Sequence, residues 1–193
     1  NLLRWLSPCI TLKEPALSPE DIKEALAVFI ASLPVYRIYA DHLPLSETDQ
    51  QWISHAFHTA SAKAPSLKEA LNWLWSLFKI KEQNKETDNV LYFIRRWAQY
   101  TAPLAAKGVE DTVFYNFNAL ISHNEVGDSP VHSPVTAEKF HTLMIDRQQK
   151  APLSMNTGST HDTKRGEDNR KRNKMISRYA DVWIDLTEQW MQI

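Results

Sequence analysis

Helix-start signals recur along this chain, each followed by apolar residues at helical spacing, and that pattern limits the fold more than any other feature. The clearest is Ser18-Pro19-Glu20-Asp21. Serine caps the first turn, proline is tolerated there because its missing N–H has no partner to lose, and the acids lie at the positive end of the helix dipole. Behind it Ile22, Ala25, Leu26, Phe29, Ile30 and Leu33 repeat at helical spacing, which predicts one buried face. Pro34 ends this helix. Ser46 with Asp49 opens a second, carrying Trp52, Ile53, Ala56, Phe57 and Ala60. Ser66 and Glu69 have the spacing of a capping box for a third, with Ala70, Leu71, Leu74, Leu77 and Phe78 behind them. A polar run from Lys79 to Asp88 reads as a solvated loop. A fourth helix then presents Val90, Leu91, Ile94, Trp97 and Ala98, and Pro103 is expected to break it. Gly108 permits a turn, residues 110–118 read as a short helix and 124–128 as a polar loop. Thr136 starts a helix through Phe140, Leu143, Met144 and Arg147, and the stretches 167–179 and 181–191 are helical in pattern.

Against these stand two short extended stretches, near Val35 and Leu153. The expected fold is therefore mainly α, with at most two or three short strands. A complete βα-barrel needs eight strands and about 250 residues, which 193 residues of this pattern do not supply. The chain opens at Asn1, without Met and inside an amphipathic pattern, so it reads as a piece of a longer polypeptide.

Composition narrows the function. Lys and Arg number 22 against 23 Asp and Glu, a net charge of -1, where a nucleic-acid binder would carry a basic excess. The single cysteine, Cys9, allows neither a disulfide framework nor a zinc site and fits a reducing, cytoplasmic setting. No apolar run is long enough to cross a membrane, and no basic-then-apolar leader opens the chain. Seven tryptophans suit stacking on sugars, although core filling is their ordinary use.

The densest chemistry lies in Gly158 to Arg172, GSTHDTKRGEDNRKR. Asp162, Glu167 and Asp168 sit there among Lys164, Arg165, Arg170, Lys171 and Arg172. So much opposite charge belongs in solvent or in a cleft. The His161-Asp162 pair follows residues 152–157, which could be a strand end, and a carboxylate after a strand end is where α/β enzymes place reacting groups. Glu110, Asp111, Glu125 and Asp128 also lie in polar surroundings. A glycosidase needs two carboxyl groups across the scissile bond, and Glu125 with Asp162 is the pair the sequence nominates. Individually each acid reads as a surface or capping group. His123, His132, His141 and His161 lack metal-ligand spacing. Ser159 near His161 lacks a nucleophile elbow. Lys107-Gly108 lacks the glycine-rich run of a phosphate loop; Lys107 and Arg165 could instead donate to sugar hydroxyls, while an isolated lysine ordinarily reads as a solvated cation.

Taken together and in order, AKGVEDTVFYNFNAL, HNEVGDSP, EKFH and GSTHDTKRGEDNRKR resemble the maltooligosyltrehalose synthases, a branch of the α-amylase superfamily (glycoside hydrolase family 13). The earlier LPVYRIY is similar to the family's PVYRTY. The matched segments run from Leu33 to Arg172, with residues 41–94 matching only as a helical spacer.

The resemblance implies a retaining, intramolecular glycosyl transfer that turns the reducing-end α-1,4 bond of a maltooligosaccharide into an α,α-1,1 bond, without metal or organic cofactor. It implies a helical insertion subdomain, residues 1–104, and a substrate-pocket segment from late in the (β/α)8 barrel, residues 105–193, the two forming either separate parts or one unit. Asp162 would be the third catalytic carboxylate, an ionised group holding sugar hydroxyls. His161 would bind substrate beside it, with Lys107, Glu110, Lys164 and Arg165 as further sugar contacts. The nucleophilic Asp and the acid/base Glu of the family would precede Asn1, so the chain alone is expected to be inactive and to need the remaining barrel as its partner. The chain departs from the family in Phe114-Tyr115-Asn116-Phe117-Asn118 for FYRYN, in Asp128-Ser129-Pro130 within NEVGGDP, and at Gly166 for serine. Two other readings stand beside this one: a non-catalytic helical carbohydrate-binding or interaction module, and an amylase-like α-glucan hydrolase. A module of the first kind has no reason to keep a buried Asp beside a His.

Overall fold

The computed structural model describes residues 2–9, 17–119, 121–131 and 135–193. His132, one of the scattered histidines, lies outside them. The chain forms two compact units, Asn1–Lys107 and Gly108–Ile193.

In the first unit the capping serines set the helix starts. Ser18 Oγ accepts from the Asp21 N–H at 3.0 Å and begins α2, Pro19–Ala31, which follows the short α1, Leu2–Leu6. Ser46 Oγ accepts from the Asp49 N–H at 3.1 Å and donates to the Asp49 carboxylate at 2.8 Å, beginning α3, Glu47–Lys63. α4, Lys68–Phe78, starts without a side-chain cap. Pro65–Leu67 is a 3₁₀ turn that follows α3 almost directly, so Ser66 lies inside a turn and the expected capping box does not form.

α5, Asp88–Ala105, corrects a second expectation. It runs through Pro103 and continues as a π-helix, Ala106–Val113, and a last short turn, α6, Phe114–Asn116. Gly108 is therefore helical and makes no turn. Proline removes one N–H, but side chains of α5 tie this helix to residues 36–41. Thr101 Oγ1 donates to the Tyr36 carbonyl at 2.7 Å, and Arg95 donates to the carbonyls of Ala40, at 2.9 Å, and of Asp41.

Those contacts also explain why the stretch near Val35 is not a strand. Its carbonyls are taken by α5 side chains, with Ile38 as a buried anchor, so it has no need of a sheet partner. The stretch near Leu153 is not a strand either. Leu153 is 94% exposed in a turn, and the Arg147 Nε–H donates to Ser154 Oγ at 2.8 Å. No strand occurs among the described residues.

The core of the first unit lies between α2, α3, α4 and α5, with α1 against α5. Phe29, Phe78 and Trp97 meet at its centre. Trp97 stacks on Phe29 at 5.6 Å between ring centroids and meets Phe78 edge-on at 5.0 Å. The second unit carries α7, Ala137–Lys150, capped by Thr136, then α8, Glu167–Ile176, and α9, Ala180–Trp190. Among its described residues, those buried as a whole are Glu110, Phe114 and Asn124.

Candidate functional site

Three polar segments of the second unit meet around the carboxylate of Glu125. The loop after the 3₁₀ turn Ile121–His123 bends back through Gly127, whose φ of +79° suits a residue without Cβ, and the Asp128 N–H closes on the Glu125 carbonyl at 3.0 Å. This aims the Glu125 side chain at residues 164 and 165. Its oxygens accept from the backbone N–H of Lys164 at 2.8 Å, of Val126 at 3.0 Å and of Arg165 at 3.3 Å, and Arg170 Nε of α8 lies 3.7 Å away. Burial opposes ionisation of Glu125. The Lys164, Val126 and Arg165 N–H groups and the Arg170 guanidinium outweigh it and hold the carboxyl below its ordinary value of 4.5.

Asn124 ties the same loop to the end of the helix before it. It is 1% exposed, and its amide donates to the carbonyls of Phe114 at 2.9 Å and Phe117 at 2.6 Å. The Arg165 guanidinium donates to the Asn124 carbonyl at 3.2 Å. Gly158 leaves room for the Glu167 carboxylate, which occupies the space a Cβ would fill.

The turn that carries Asp162 is closed by its threonines. The Thr160 N–H donates to Thr163 Oγ1 at 2.8 Å, and that hydroxyl donates to the Thr160 carbonyl at 2.9 Å. Asp162 itself has φ +65°, a left-handed backbone uncommon for a residue with a side chain and a frequent mark of functional sites. Its side chain is 58% exposed, so the expected buried Asp beside a His is not what the chain forms; the threonine-closed turn holds the carboxylate at the surface, where it meets the Lys164 ammonium. Lys164 is the reverse. Its side chain is 4% exposed, and its ammonium reaches Asp111 Oδ1 at 3.1 Å and Asp162 Oδ1 at 3.3 Å. The hydrogen bond to Asp111 raises the Lys164 pKa above 10.5, against the effect of burial and with help from Asp162.

Of the six residues singled out in the sequence, Asp162, Lys164 and Arg165 thus belong to one hydrogen-bonded cluster. His161 is exposed next to it, outside these bonds. Glu110 is 5% exposed on the π-helix, one residue before Asp111, and Lys107 is exposed at the end of the first unit. The pair Glu125 and Asp162 does not have the look of a glycosidase acid and base, since Glu125 spends its oxygens on backbone N–H groups. Asp111, Asn124 and Arg170 had no assigned part in the sequence reading. Their contacts span up to 53 residues, and such pairings have no fixed spacing to betray them. Among the described residues no group of His, Cys, Asp or Glu is arranged to hold a metal ion, and no helix is long and apolar enough to cross a membrane.

No protein-family model matches the chain. Two proteins from strains of Mycobacterium tuberculosis, each described as a maltooligosyl trehalose synthase, are 44% identical to it over 88 residues, 46% of this chain and 12% of theirs. A mutant of maltooligosyltrehalose synthase from Arthrobacter ramosus superposes with a TM-score of 0.76 at 31% identity, covering 97% of this chain and 22% of that one. A second structure of that synthase gives a TM-score of 0.75 at 31% identity, over 94% and 21%. The chain thus spans well under two thirds of these proteins. In sequence and in fold it matches one segment of the maltooligosyltrehalose synthases, the family its ordered motifs resemble.

Proposed function

We propose that this chain is the helical subdomain, residues 1–104, and the substrate-pocket and late-barrel segment, residues 105–193, of an α-amylase-superfamily enzyme of trehalose formation. That enzyme isomerises the reducing-end α-1,4 linkage of maltooligosaccharides to α,α-1,1 by retaining intramolecular transfer. The observation that carries this reading is the convergence of the three motif segments, through Asp111, Glu125 and Asp162 with Lys164, in a chain whose fold follows a synthase over 97% of its length.

In this reading Asp162 is the catalytic carboxylate of the segment. It accepts from sugar hydroxyls and binds the flattened, positively charged ring of the transition state better than the ground state. His161 binds substrate beside it, and Lys107, Glu110, Lys164 and Arg165 complete the contacts. The pocket must hold a released glucose while it turns and must exclude water, because water would convert an isomerase into a hydrolase. No cofactor is needed. The nucleophile and acid/base come from the remaining barrel, which also covers the apolar side chains exposed on α7 and α9, so the isolated chain has no turnover. A single cysteine, Cys9, suits a reducing, cytoplasmic setting.

The test uses a full-length synthase that carries this segment, unaltered and with Asp162→Asn, incubated with maltopentaose. Loss of reducing ends with an α,α-1,1 signal in anomeric NMR is expected from the first and not from the second. Glucose or maltose release without that signal would make the protein an amylase-like hydrolase. Absence of any reaction in the unaltered protein would favour the non-catalytic module.

A further inference from the structure

Asp162 needs an orientation as well as a charge. Its carboxylate projects from an exposed turn, where a free aspartate samples several staggered positions. The backbone of that turn is fixed by Thr160, Thr163 and the Glu125 carboxylate, but these hold main-chain atoms. The side chain itself is met by the Lys164 ammonium at 3.3 Å. Lysine is a poor fixture by itself, because its point charge rides on a flexible four-carbon stem. Here the stem is enclosed and the ammonium is shared with Asp111 Oδ1 at 3.1 Å, from the π-helix 53 residues earlier in the chain.

We propose that Asp111 is a positioning residue, which fixes the Lys164 ammonium so that the ammonium in turn fixes the Asp162 carboxylate. This rests on the reading of Asp162 as the catalytic carboxylate. Lys164 then contributes chiefly by orienting Asp162. An ammonium has three donors, and two are directed at Asp111 and Asp162. The π-helix suits the task. Its wider turns are rare and concentrate at functional sites, and this one buries Glu110 while its neighbour Asp111 reaches Lys164. The hydrogen bond from Lys164 to Asp111 is also the largest influence holding the ammonium charged.

The experiment compares Asp111→Asn, Asp111→Glu, Lys164→Met, the double variant Asp111→Asn with Lys164→Met, and Asp162→Asn, all in a full-length synthase carrying this segment. A misplaced reacting group costs up to about 100-fold, so Asp111→Asn should lower kcat by about 10- to 100-fold. Its effect on KM should stay within about twofold, because the carboxylate acts mainly in the transition state. Asp111→Glu should recover part of kcat. In the double variant Asp111→Asn should cost nothing in kcat beyond Lys164→Met, since its effect on Asp162 passes through the Lys164 ammonium. In parallel, the Lys164 side-chain resonances of the 193-residue chain should titrate at lower pH in Asp111→Asn than in the unaltered chain. The amide resonances of residues 160–165 in the same spectra show whether the turn is still folded when that shift is read. Unchanged kcat in Asp111→Asn, or additive losses in the double variant, would overturn the inference while Asp162→Asn remains inactive. An active Asp162→Asn would instead remove the reading beneath it.

Discussion

Glu125 shows how a single side chain can be legible in kind and illegible in use. The sequence nominates it as one of two carboxylates for glycosidic chemistry. The fold turns both its oxygens toward backbone N–H groups of residues 126, 164 and 165. Hydrogen bonds to a charged group contribute about 1.5–3 kcal/mol, so Glu125→Gln should destabilise the second unit by about that amount at pH 7. The sign with pH follows from the lowered pKa. A depressed carboxyl stabilises the fold above its unfolded value, ordinarily 4.5, and that contribution fades as pH falls through the folded value below it. Urea unfolding followed by NMR signals of residues 121–170 should therefore separate the two proteins at pH 7 and bring them closer together as the pH falls below 4.5. Ser18, Ser46 and Thr136 were readable because a cap is a local bond over three residues. The bond from Lys164 to Asp111 was not, because two distant segments must fold before it exists.

At the scale of the element, α5 is where local rules and packing part company. Periodicity located its buried face correctly, with Val90, Leu91, Ile94, Trp97 and Ala98 all in the core. The proline rule placed its end too early, because that rule counts the lost N–H and not the tertiary contacts of Arg95 and Thr101 that hold the helix in place. The π-helix beyond had no sequence signature of its own. Trp97 measures how much the packed face contributes. It is fully buried against Phe29 and Phe78, and loss of a buried aromatic typically costs about 3–5 kcal/mol. Trp97→Ala should lower the stability of the first unit by that amount in equilibrium denaturation. A change below about 1 kcal/mol would mean that this aromatic centre is not where the unit's stability resides.

Over the whole molecule, burial is distributed very unevenly between the two units. The continuous apolar core runs from Leu2 to Ala98. The second unit instead leaves Phe140, Ile145, Val182, Ile184 and Trp190 exposed, each more than half accessible. Amide exchange should follow that difference. Protection should be strongest in α2 through α5 and weak in α7 and α9, since stability against local opening tracks buried apolar contact. Equal protection in both units of the isolated chain would contradict it. The helical class was legible because 3.6-residue periodicity is written into each segment. The stretch near Val35 was misjudged because β-branched and aromatic residues report a liking for half-buried surfaces, not a pairing partner, and the one near Leu153 because a short alternation of apolar and polar residues also fits an exposed turn.

The grip of Glu125 on the main chain of residues 164 and 165 has a consequence for anyone who would move this chemistry elsewhere. A threonine-closed turn grafted alone onto a foreign scaffold would arrive with two N–H groups lacking their acceptor and a Lys164 lacking Asp111. The portable object is a discontinuous one: the loop with Asn124 and Glu125, the turn 160–165, and the stretch of helix that presents Asp111. Recombination that cuts between these three pieces should yield folded helices with a disordered turn.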